Sequence, residues 1–263
     1  MAPLLELVHV HKRFGEVRIA EDVSIAVDEG AALGIVGPNG AGKTTLFGIM
    51  AGNLRPDAGE VRFAGADVTR LGAAGRTRLG VGRTYQVPRP FTGMTVVENV
   101  LVAAQQGGGA RRRASYDAAA SALERAQLGS MANRPAASLG LLDRKRLEFA
   151  RALATAPRVL LLDEIAGGLT DPEVHELVGV VKATRAEGIA VVWIEHVVRA
   201  LLASVERLVC LAGGRIVGDG DPAAVLSSAA VREVYLGADI TFEAPGVPLQ
   251  AAAGTPGELG AVR

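Results

Sequence analysis

The chain has 263 residues, enough for one large domain or two lobes, and its 49% hydrophobic residues provide ample material for a core. Its 28 basic side chains equal its 28 acidic ones, which argues against the strongly basic surface of a nucleic-acid-binding protein. A single cysteine excludes an internal disulfide, and no apolar run approaches the ~18 residues that span a bilayer, so we expect any membrane role to come through a partner.

The first predicted elements are strands, followed by a loop and a helix. Alternating and clustered apolar residues predict strands over 4–10 and 23–27. The apolar run Ala31–Val36 has the length of a buried strand. The run Leu46–Ala51 is typical of a helix, which we expect to end at Gly52. A glycine-rich segment therefore lies between a buried strand and a helix.

That segment, GPNGAGKTT, fits the phosphate-loop pattern G-x-x-x-x-G-K-[ST]. Its glycines can adopt φ > 0 and bring backbone N–H groups close to phosphate oxygens, and the following helix adds its positive dipole end. Lys43 is predicted to reach the β- and γ-phosphates, and the Thr44 hydroxyl to ligate Mg²⁺. The predicted nucleotide-binding residues of the loop are Gly37, Pro38, Asn39, Gly40, Ala41, Gly42, Lys43, Thr44 and Thr45. The sequence thus predicts a nucleoside triphosphate site.

The next segment is predicted to be mixed and then helical. Short strands are expected over 60–63 and 81–85, with Thr69 capping a helix that ends near Gly80. Further on, Thr95–Glu98 is a capping box that opens a helix through Ala104. Two more helices are predicted by composition and spacing, over 114–126 and 143–154. We interpret about 87–150 as a helical insertion between two β-containing parts.

Strands and helices then alternate again. Strands are predicted over 159–163, 190–194 and 208–211. Asp171 and Asp221, each followed by proline, are predicted to be N-caps, and another helix is expected after His196. The tail 244–263 is rich in Ala, Gly and Pro without periodicity, so we expect it to be disordered.

Two carboxylates follow the apolar run Val159–Leu162. Asp163 would lie at the carboxyl end of a buried strand, where α/β sheets bind ligands, and could reach Mg²⁺ through water. Glu164 is then placed to orient or deprotonate the water that attacks a γ-phosphate. By itself, an apolar run that ends in two acidic residues is only a weak indication of a functional site. The phosphate loop upstream makes this indication stronger.

Taken together, these motifs resemble the ATP-binding subunits of ABC transporters, from Leu4 to about Gly237. Phe14 matches the aromatic that stacks on adenine, and Gln86 matches the glutamine that joins the γ-phosphate site and its metal to the helical subdomain. The string RKRLEFARAL, Arg144–Leu153, matches the helix after the family's signature sequence. His196 matches the switch histidine that contacts the γ-phosphate. The resemblance implies that Glu164, His196 and Gln86 are catalytic and that Thr44, Gln86 and Asp163 hold the metal.

The resemblance also implies an architecture. It predicts an α/β fold of the P-loop NTPase class (ABC ATPase type), with an antiparallel β subdomain and the helical insertion, over residues 4–240. Two stretches indicate a subfamily within this family. RTYQVPRPFTGMTVVENV (Arg83–Val100) and IEHVV (Ile194–Val198) are similar to the branched-chain amino-acid importer subfamily. The lipopolysaccharide-export ATPases are close relatives of that subfamily.

Two departures from the family pattern concern the dimer contacts. Without gaps, the LSGGQ signature falls on Leu139–Asp143, with Gly140 in place of the serine and Leu142 in place of the second glycine. A two-residue insertion would instead place Ser138 at the serine position. The second departure is Ile165, where the family usually has proline. Both departures leave ATP binding by this chain intact but put in question the ATP site that its own signature completes.

The resemblance implies a set of partners. They are transmembrane permease subunits, a second ATP-binding subunit with which two ATPs are sandwiched, and indirectly an external substrate-binding protein. The expected location is the cytoplasmic face of the inner membrane, with no nucleic-acid partner. Two alternatives stay open: a non-transport ABC ATPase acting on nucleic acid or ribosomes, and a low-turnover regulatory subunit of a heterodimer.

Overall fold

The computed structural model describes residues 2–107, 109 and 113–236. Its strands are β1 (Leu5–Phe14), β2 (Val17–Val27), β3 (Ala32–Val36), β4 (Ala58–Phe63), β5 (Ala66–Asp67), β6 (Val81–Arg83), β7 (Val159–Asp163), β8 (Ala190–Ile194), β9 (Arg207–Ala212) and β10 (Arg215–Gly220). Its helices are α1 (Lys43–Ala51), α2 (Ala73–Leu79), α3 (Val96–Gln106), α4 (Arg113–Arg125), α5 (Leu141–Leu153), α6 (Asp171–Ala186), α7 (Val198–Leu202), α8 (Pro222–Ser227) and α9 (Ala229–Leu236). The predicted tail 244–263 and the last residues of the predicted domain lie outside the described part.

The strands form two sheets. The antiparallel sheet has the order β2-β1-β4-β5, and the larger sheet has the order β10-β9-β3-β8-β7-β6. Within the larger sheet, β6, β7, β8, β3 and β9 run parallel, and β10 joins the edge antiparallel to β9. Strands β3, β7 and β8 are buried at every residue, as expected for a parallel sheet covered on both faces. The predicted α/β fold with an antiparallel subdomain is confirmed.

Two apolar clusters hold these layers together. One joins the antiparallel sheet and α1 to one face of the larger sheet. The other packs α3, α4, α5 and α6 on the opposite face and includes Trp193, which is fully buried. Helices α3, α4 and α5 lie in the sequence between β6 and β7, as the predicted helical insertion requires. The carboxyl ends of β3, β7 and β8 thereby share one edge of the sheet.

Several helix ends follow the predicted local rules. Helix α1 ends at Gly52, which has φ 81°, and Thr95 and Glu98 form a reciprocal capping box at the start of α3. The Asp221 side chain caps α8 by accepting from the N–H of Ala224 at 3.0 Å. These ends were set by residues within one turn of the boundary.

Two predicted caps are wrong. Helix α2 begins at Ala73, because Thr69 is held elsewhere: its hydroxyl donates to Asp67 at 2.5 Å and accepts from the N–H of Val61 at 2.8 Å. At α6 the N-cap is Thr170, not Asp171, because the Glu173 carboxylate accepts from the Thr170 N–H at 2.8 Å.

Other element boundaries differ from the predicted ones, and three elements were not predicted. Strand β6 stops at Arg83, two residues before the predicted end, and α3 continues to Gln106, two residues beyond its predicted end at Ala104. The unpredicted elements are β5, β10 and α9. Strand β10 contains three glycines or aspartates among six residues, a composition that disfavours strands, and pairing with β9 overrides it.

A buried arginine links the carboxyl end of α1 by hydrogen bonds to the segment that precedes α2. Arg76 is 1% exposed and donates to the carbonyls of Met50 (2.9 Å) and Val68 (2.8 Å), as well as that of Ile49. Ile49 and Met50 lie in the last turn of α1, where helical carbonyls have no partner within the helix. Arg76 therefore satisfies the end of the helix that follows the phosphate loop.

We expect Arg76→Met to lower the free energy of unfolding by about 3 kcal/mol, because it leaves the buried Met50 carbonyl without its donor and removes a second donor from the carbonyls of Ile49 and Val68, which keep one backbone N–H each. At this chain length such a loss lowers Tm by roughly 10 °C. Thermal and urea unfolding would measure it, with Arg78→Met, an exposed arginine of the same helix, as the matched control. Equal stability of the two variants would show that the carbonyls find other partners.

Candidate nucleotide site

The predicted phosphate loop lies between β3 and α1, and its glycines adopt the conformations that were expected. Gly37, Gly40 and Gly42 have φ values of 148°, 80° and 99°. A Cβ at Gly37 would collide with the carbonyl oxygen of Leu211, and one at Gly42 would lie 2.5 Å from that of Ile19. Glycine is therefore required at positions 37 and 42 for both conformation and space, and at position 40 for conformation.

Lys43 lies at the first turn of α1, with its ammonium over the loop. Its Nζ donates to the carbonyl oxygens of Gly37 at 2.7 Å and Pro38 at 3.0 Å. The side chain is buried, and this burial lowers the pKa of Lys43, opposed by the negative charges of Glu164 and Asp163. The ammonium is thus held inside the loop, next to the helix N-terminus that would face a phosphate.

Asp163 ends β7 and is almost completely buried. Its Oδ2 lies 3.0 Å from Nη2 of Arg83, and among the described residues its buried Oδ1 has no hydrogen-bond partner. Burial raises the pKa of Asp163, and the Arg83 guanidinium opposes this rise. A buried carboxylate oxygen of this kind is a suitable ligand for a hard cation or its water.

The residues present fit Mg²⁺ in the way this ion is usually bound. Within residues 2–107, 109 and 113–236, no group of three or more His, Cys, Asp or Glu side chains forms a metal cage. Mg²⁺ at nucleotide sites relies instead on one or two oxygen side chains plus phosphate oxygens. Thr44, which is exposed in the first turn of α1, and Asp163 are residues of this type.

The three side chains predicted to be catalytic meet at one point. The Glu164 carboxylate lies 2.8 Å from Nε2 of His196 and accepts a hydrogen bond from the amide of Gln86. Each of these residues follows a different strand of the parallel sheet: Gln86 follows β6, Glu164 follows β7 and His196 follows β8. The parallel arrangement therefore gathers an acid, an imidazole and an amide at a single edge.

Phe14 lies at the end of β1 and is 50% exposed. The Lys12 ammonium lies 5.4 Å from the centre of its ring. The hairpin formed by β1 and β2 approaches the phosphate loop, since the carbonyl of Ile19 limits the space at Gly42. An exposed ring on a hairpin beside the loop is suited to stacking on a base.

The segment that resembles the signature sequence begins α5. Gly140 is the N-cap of this helix, with φ −67° and ψ 176°, and provides no side-chain cap. Ser138 lies in a preceding 3-10 turn, where its hydroxyl donates to the carbonyl of Pro135 at 2.8 Å. In the gap-free register, Gly140 at the serine position is therefore the N-cap residue of α5. Leu141 is 45% exposed at the same end of the helix.

Three charged residues near the site were not predicted to contribute. Arg83 pairs with Asp163, and Glu195 accepts from the N–H groups of Ala166 at 2.6 Å and His196 at 3.0 Å. Lys145 of α5 donates to the carbonyls of two other site residues. Arg83 and Glu195 each end or follow a strand of the parallel sheet, which was a usable signal; Lys145 gave none, because it lies within a charged helix.

Comparisons with known proteins show which family the sequence matches. The family model described as ABC transporter matches residues 20–167. The high-affinity branched-chain amino acid transport ATP-binding protein BraF of Pseudomonas aeruginosa is 35% identical over 250 residues, covering 89% of this chain and 98% of that protein. The lipopolysaccharide export system ATP-binding protein LptB of Acidithiobacillus ferridurans is also 35% identical, and the match covers 90% of this chain and 98% of that protein.

A solved structure is similar over the same extent. The ADP conformation of MJ1267, an ATP-binding cassette of an ABC transporter, matches with a TM-score of 0.82 and 31% identity, covering 90% of this chain and all of that one. The family and fold predicted from the motifs are therefore confirmed. The chain belongs to the ABC transporter family as an ATP-binding subunit that hydrolyses ATP.

Proposed function

We propose that this chain drives the uptake of branched-chain or related amino acids, or amides, through separate permease subunits. The observation that carries the ATPase part is the convergence of Gln86, Glu164 and His196 beside the phosphate loop. The transported class rests on the similarity to a branched-chain amino acid transport protein and on the strings Arg83–Val100 and Ile194–Val198. The equally similar lipopolysaccharide export protein supports the alternative substrate class.

In the proposed reaction, each site residue has one role. Phe14 stacks on adenine, the loop Gly37–Thr45 holds the phosphates through backbone N–H groups, and the Lys43 ammonium neutralises the β- and γ-phosphates. Thr44, Gln86 and Asp163 would hold Mg²⁺, which when bound would supply further positive charge to the phosphate oxygens.

The remaining groups act on the attacking water. Glu164 accepts its proton as a general base, and His196 donates to the γ-phosphate, where negative charge develops. The hydrogen bonds that Glu164 already makes with His196 and Gln86 fix the direction of its carboxylate. A water placed between Glu164 and the γ-phosphate would therefore meet a base held in one orientation.

Purification of the transporter with its membrane partners tests the transported class. The complex, reconstituted in liposomes with the external binding protein, is expected to take up labelled leucine or a related amino acid when supplied with ATP. Extraction of lipopolysaccharide without amino-acid uptake would support the alternative. ATP hydrolysis by the complex without transport of either class would contradict both.

The proposed contact with the permease is the loop between β6 and α3. Val87, Phe91 and Met94 are large apolar residues of this loop, and they are 64%, 44% and 39% exposed. A cavity of about 170 Å³ lies beside it, lined by Ala103 of α3 and Arg151 of α5. This surface can accept an apolar helix end from a permease. None of the described helices is long and apolar enough to cross a membrane.

We expect Val87→Glu combined with Phe91→Glu to reduce co-purification of the permease at least tenfold, because two charges would be buried against its apolar helix. ATP affinity should be unchanged, since neither side chain belongs to the nucleotide site. Tyr116→Glu, at a residue of α4 that is 60% exposed, is the control. Equal recovery of permease with both variants, or tight binding of the wild-type chain to protein-free liposomes, would show that attachment has another basis.

We propose that the second cassette is a different, sister subunit. This chain would contribute one part to each of two ATP sites, and only one of these parts is complete. Its own phosphate loop and catalytic residues are complete, whereas the segment it would present to a partner's ATP has Gly140 and Leu142 in place of serine and glycine. Losing one donor to a developing phosphoryl charge costs on the order of 3 kcal/mol, or about a hundredfold in rate. A heterodimer would therefore hydrolyse ATP faster at this chain's phosphate loop than at the sister's.

Restoring the missing hydroxyl tests this asymmetry. No atom lies within 4 Å of a Cβ built at Gly140, so Gly140→Ser can be accommodated. We expect it to raise hydrolysis at the sister's site about tenfold, which is less than the full value because Leu142 still crowds the phosphate. The sister's site is isolated by placing Lys43→Ala in this chain. Gly140→Ala, which adds the Cβ without the hydroxyl, is the matched control; an equal gain with alanine, or no gain with serine, would refute the assignment.

A further inference from the structure

Lys145 connects the helical segment to the catalytic residues. It lies in α5, the helix that begins at the signature segment, and its side chain is buried. Its ammonium donates to the backbone carbonyl of Glu164 at 3.0 Å and to that of Gln86 at 3.3 Å. One cation thereby contacts the main chain of two residues that follow different strands.

The backbone of Glu164 needs such support. Its φ is 47°, in the left-handed region, which costs a residue with a side chain about 1–2 kcal/mol. A strained conformation of this kind persists only where its surroundings fix it. The Glu164 N–H donates to the carbonyl of Ile194 at 2.9 Å, and Lys145 holds the carbonyl on the other side.

The charge of Lys145 is balanced within the same region. Burial lowers the pKa of Lys145, while the negative charges of Glu195 and Glu164 favour the charged form. Glu195 is itself buried and accepts from the N–H groups of Ala166 and His196. Two side chains therefore bind the backbone immediately after β7. Lys145 donates to the carbonyl of Glu164, and Glu195 accepts from the N–H of Ala166. A buried ammonium in this position is costly unless it has such partners.

We propose that Lys145 is a positioning residue for ATP hydrolysis: it holds Glu164 in its left-handed conformation and ties it to Gln86, so that the carboxylate points to the attacking water. The proposal rests on the proposed role of Glu164 as the base. Because Lys145 belongs to α5, a displacement of the helical segment would move the carbonyls of both residues together.

The test replaces Lys145 with methionine, which keeps the length of the side chain and removes the donor. In the purified transporter complex we expect kcat to fall about tenfold and ATP affinity to stay within about twofold, because the hydrogen bonds of the Lys145 ammonium go to Gln86 and Glu164 and not to the phosphate loop. Lys182→Met, at an exposed lysine of α6, is the matched control and should leave both values unchanged. Equal kcat in the Lys145 and Lys182 variants would overturn the proposal.

A double-variant comparison separates positioning from a general loss of structure. Combined with Glu164→Gln, Lys145→Met should lower single-turnover hydrolysis by less than about twofold, because the group that it positions is already lost. A further tenfold loss would show that Lys145 acts independently of Glu164 and would overturn the proposal. If Glu164→Gln alone has wild-type turnover, the proposed base is wrong, which is a separate result. If the methionine variant does not fold, Lys145→Gln serves for the same comparisons.

Discussion

Replacing Glu164 with glutamine is expected to slow ATP hydrolysis by roughly a hundredfold or more while ATP still binds, because the substitution removes the proposed general base and keeps the shape of the side chain. The carboxylate that would accept the proton lies 2.8 Å from His196 and is hydrogen-bonded to Gln86. An amide at this position can fill the same space but cannot take a proton from water. ATP should then hold the two cassettes together.

Phosphate release by the assembled transporter measures the loss, and a nucleotide titration measures the binding that should survive. Glu233→Gln, at an exposed glutamate of α9, removes the same charge away from the site and should leave both unchanged. Wild-type turnover of Glu164→Gln in the presence of its partner chains would place the base at another residue. Loss of ATP binding together with turnover would mean that Glu164 supports the site instead of acting on water.

Replacing Lys43 with alanine is expected to abolish detectable ATP binding. The ammonium is the cation that the phosphate loop itself provides, and its hydrogen bonds to anionic oxygens are charge-assisted. It is already held over the loop by the carbonyls of Gly37 and Pro38. Transport should stop more completely than when the equivalent lysine of a sister subunit is replaced. In the proposed heterodimer, ATP is hydrolysed faster at this chain's phosphate loop, so Lys43→Ala removes the faster site.

Fluorescence titration with a labelled ATP measures the binding, and Lys182→Ala is the control for loss of a lysine on the surface. Thermal unfolding of both variants distinguishes a lost cation from a collapsed loop, since Lys43 also makes two hydrogen bonds within the loop. Unchanged affinity in Lys43→Ala would show that the phosphate loop has been misread. Equal loss of transport from either lysine would argue that the two ATP sites are equivalent.

Local patterns were sufficient for the phosphate loop and for several helix ends. The glycines at 37, 40 and 42, the stop at Gly52 and the capping box at Thr95 are each determined by residues within a turn or two. Thr69 and Asp171 were misassigned because a competing neighbour, Asp67 in one case and Thr170 with Glu173 in the other, decides which residue caps a helix. Short-range chemistry is readable when only one partner is available.

The site itself is assembled over long distances in the sequence. Glu164 lies 78 residues after Gln86, its hydrogen-bond partner, and no spacing rule links either residue to His196. Their association could be expected only from resemblance to a family. Lys145 could not be expected even then, because a lysine in a charged helix is usually solvated, and its burial depends on how α5 packs against the sheet.

The most direct test is the structure of the Glu164→Gln transporter complex with ATP and Mg²⁺. We predict ATP on this chain's phosphate loop, with adenine on Phe14 and the γ-phosphate in contact with Lys43 and His196. The metal should be held by the phosphates and the side chains of Thr44, Gln86 and Asp163. Nucleotide bound elsewhere on the chain, or a γ-phosphate out of reach of His196 and residue 164, would contradict the assignment of this site.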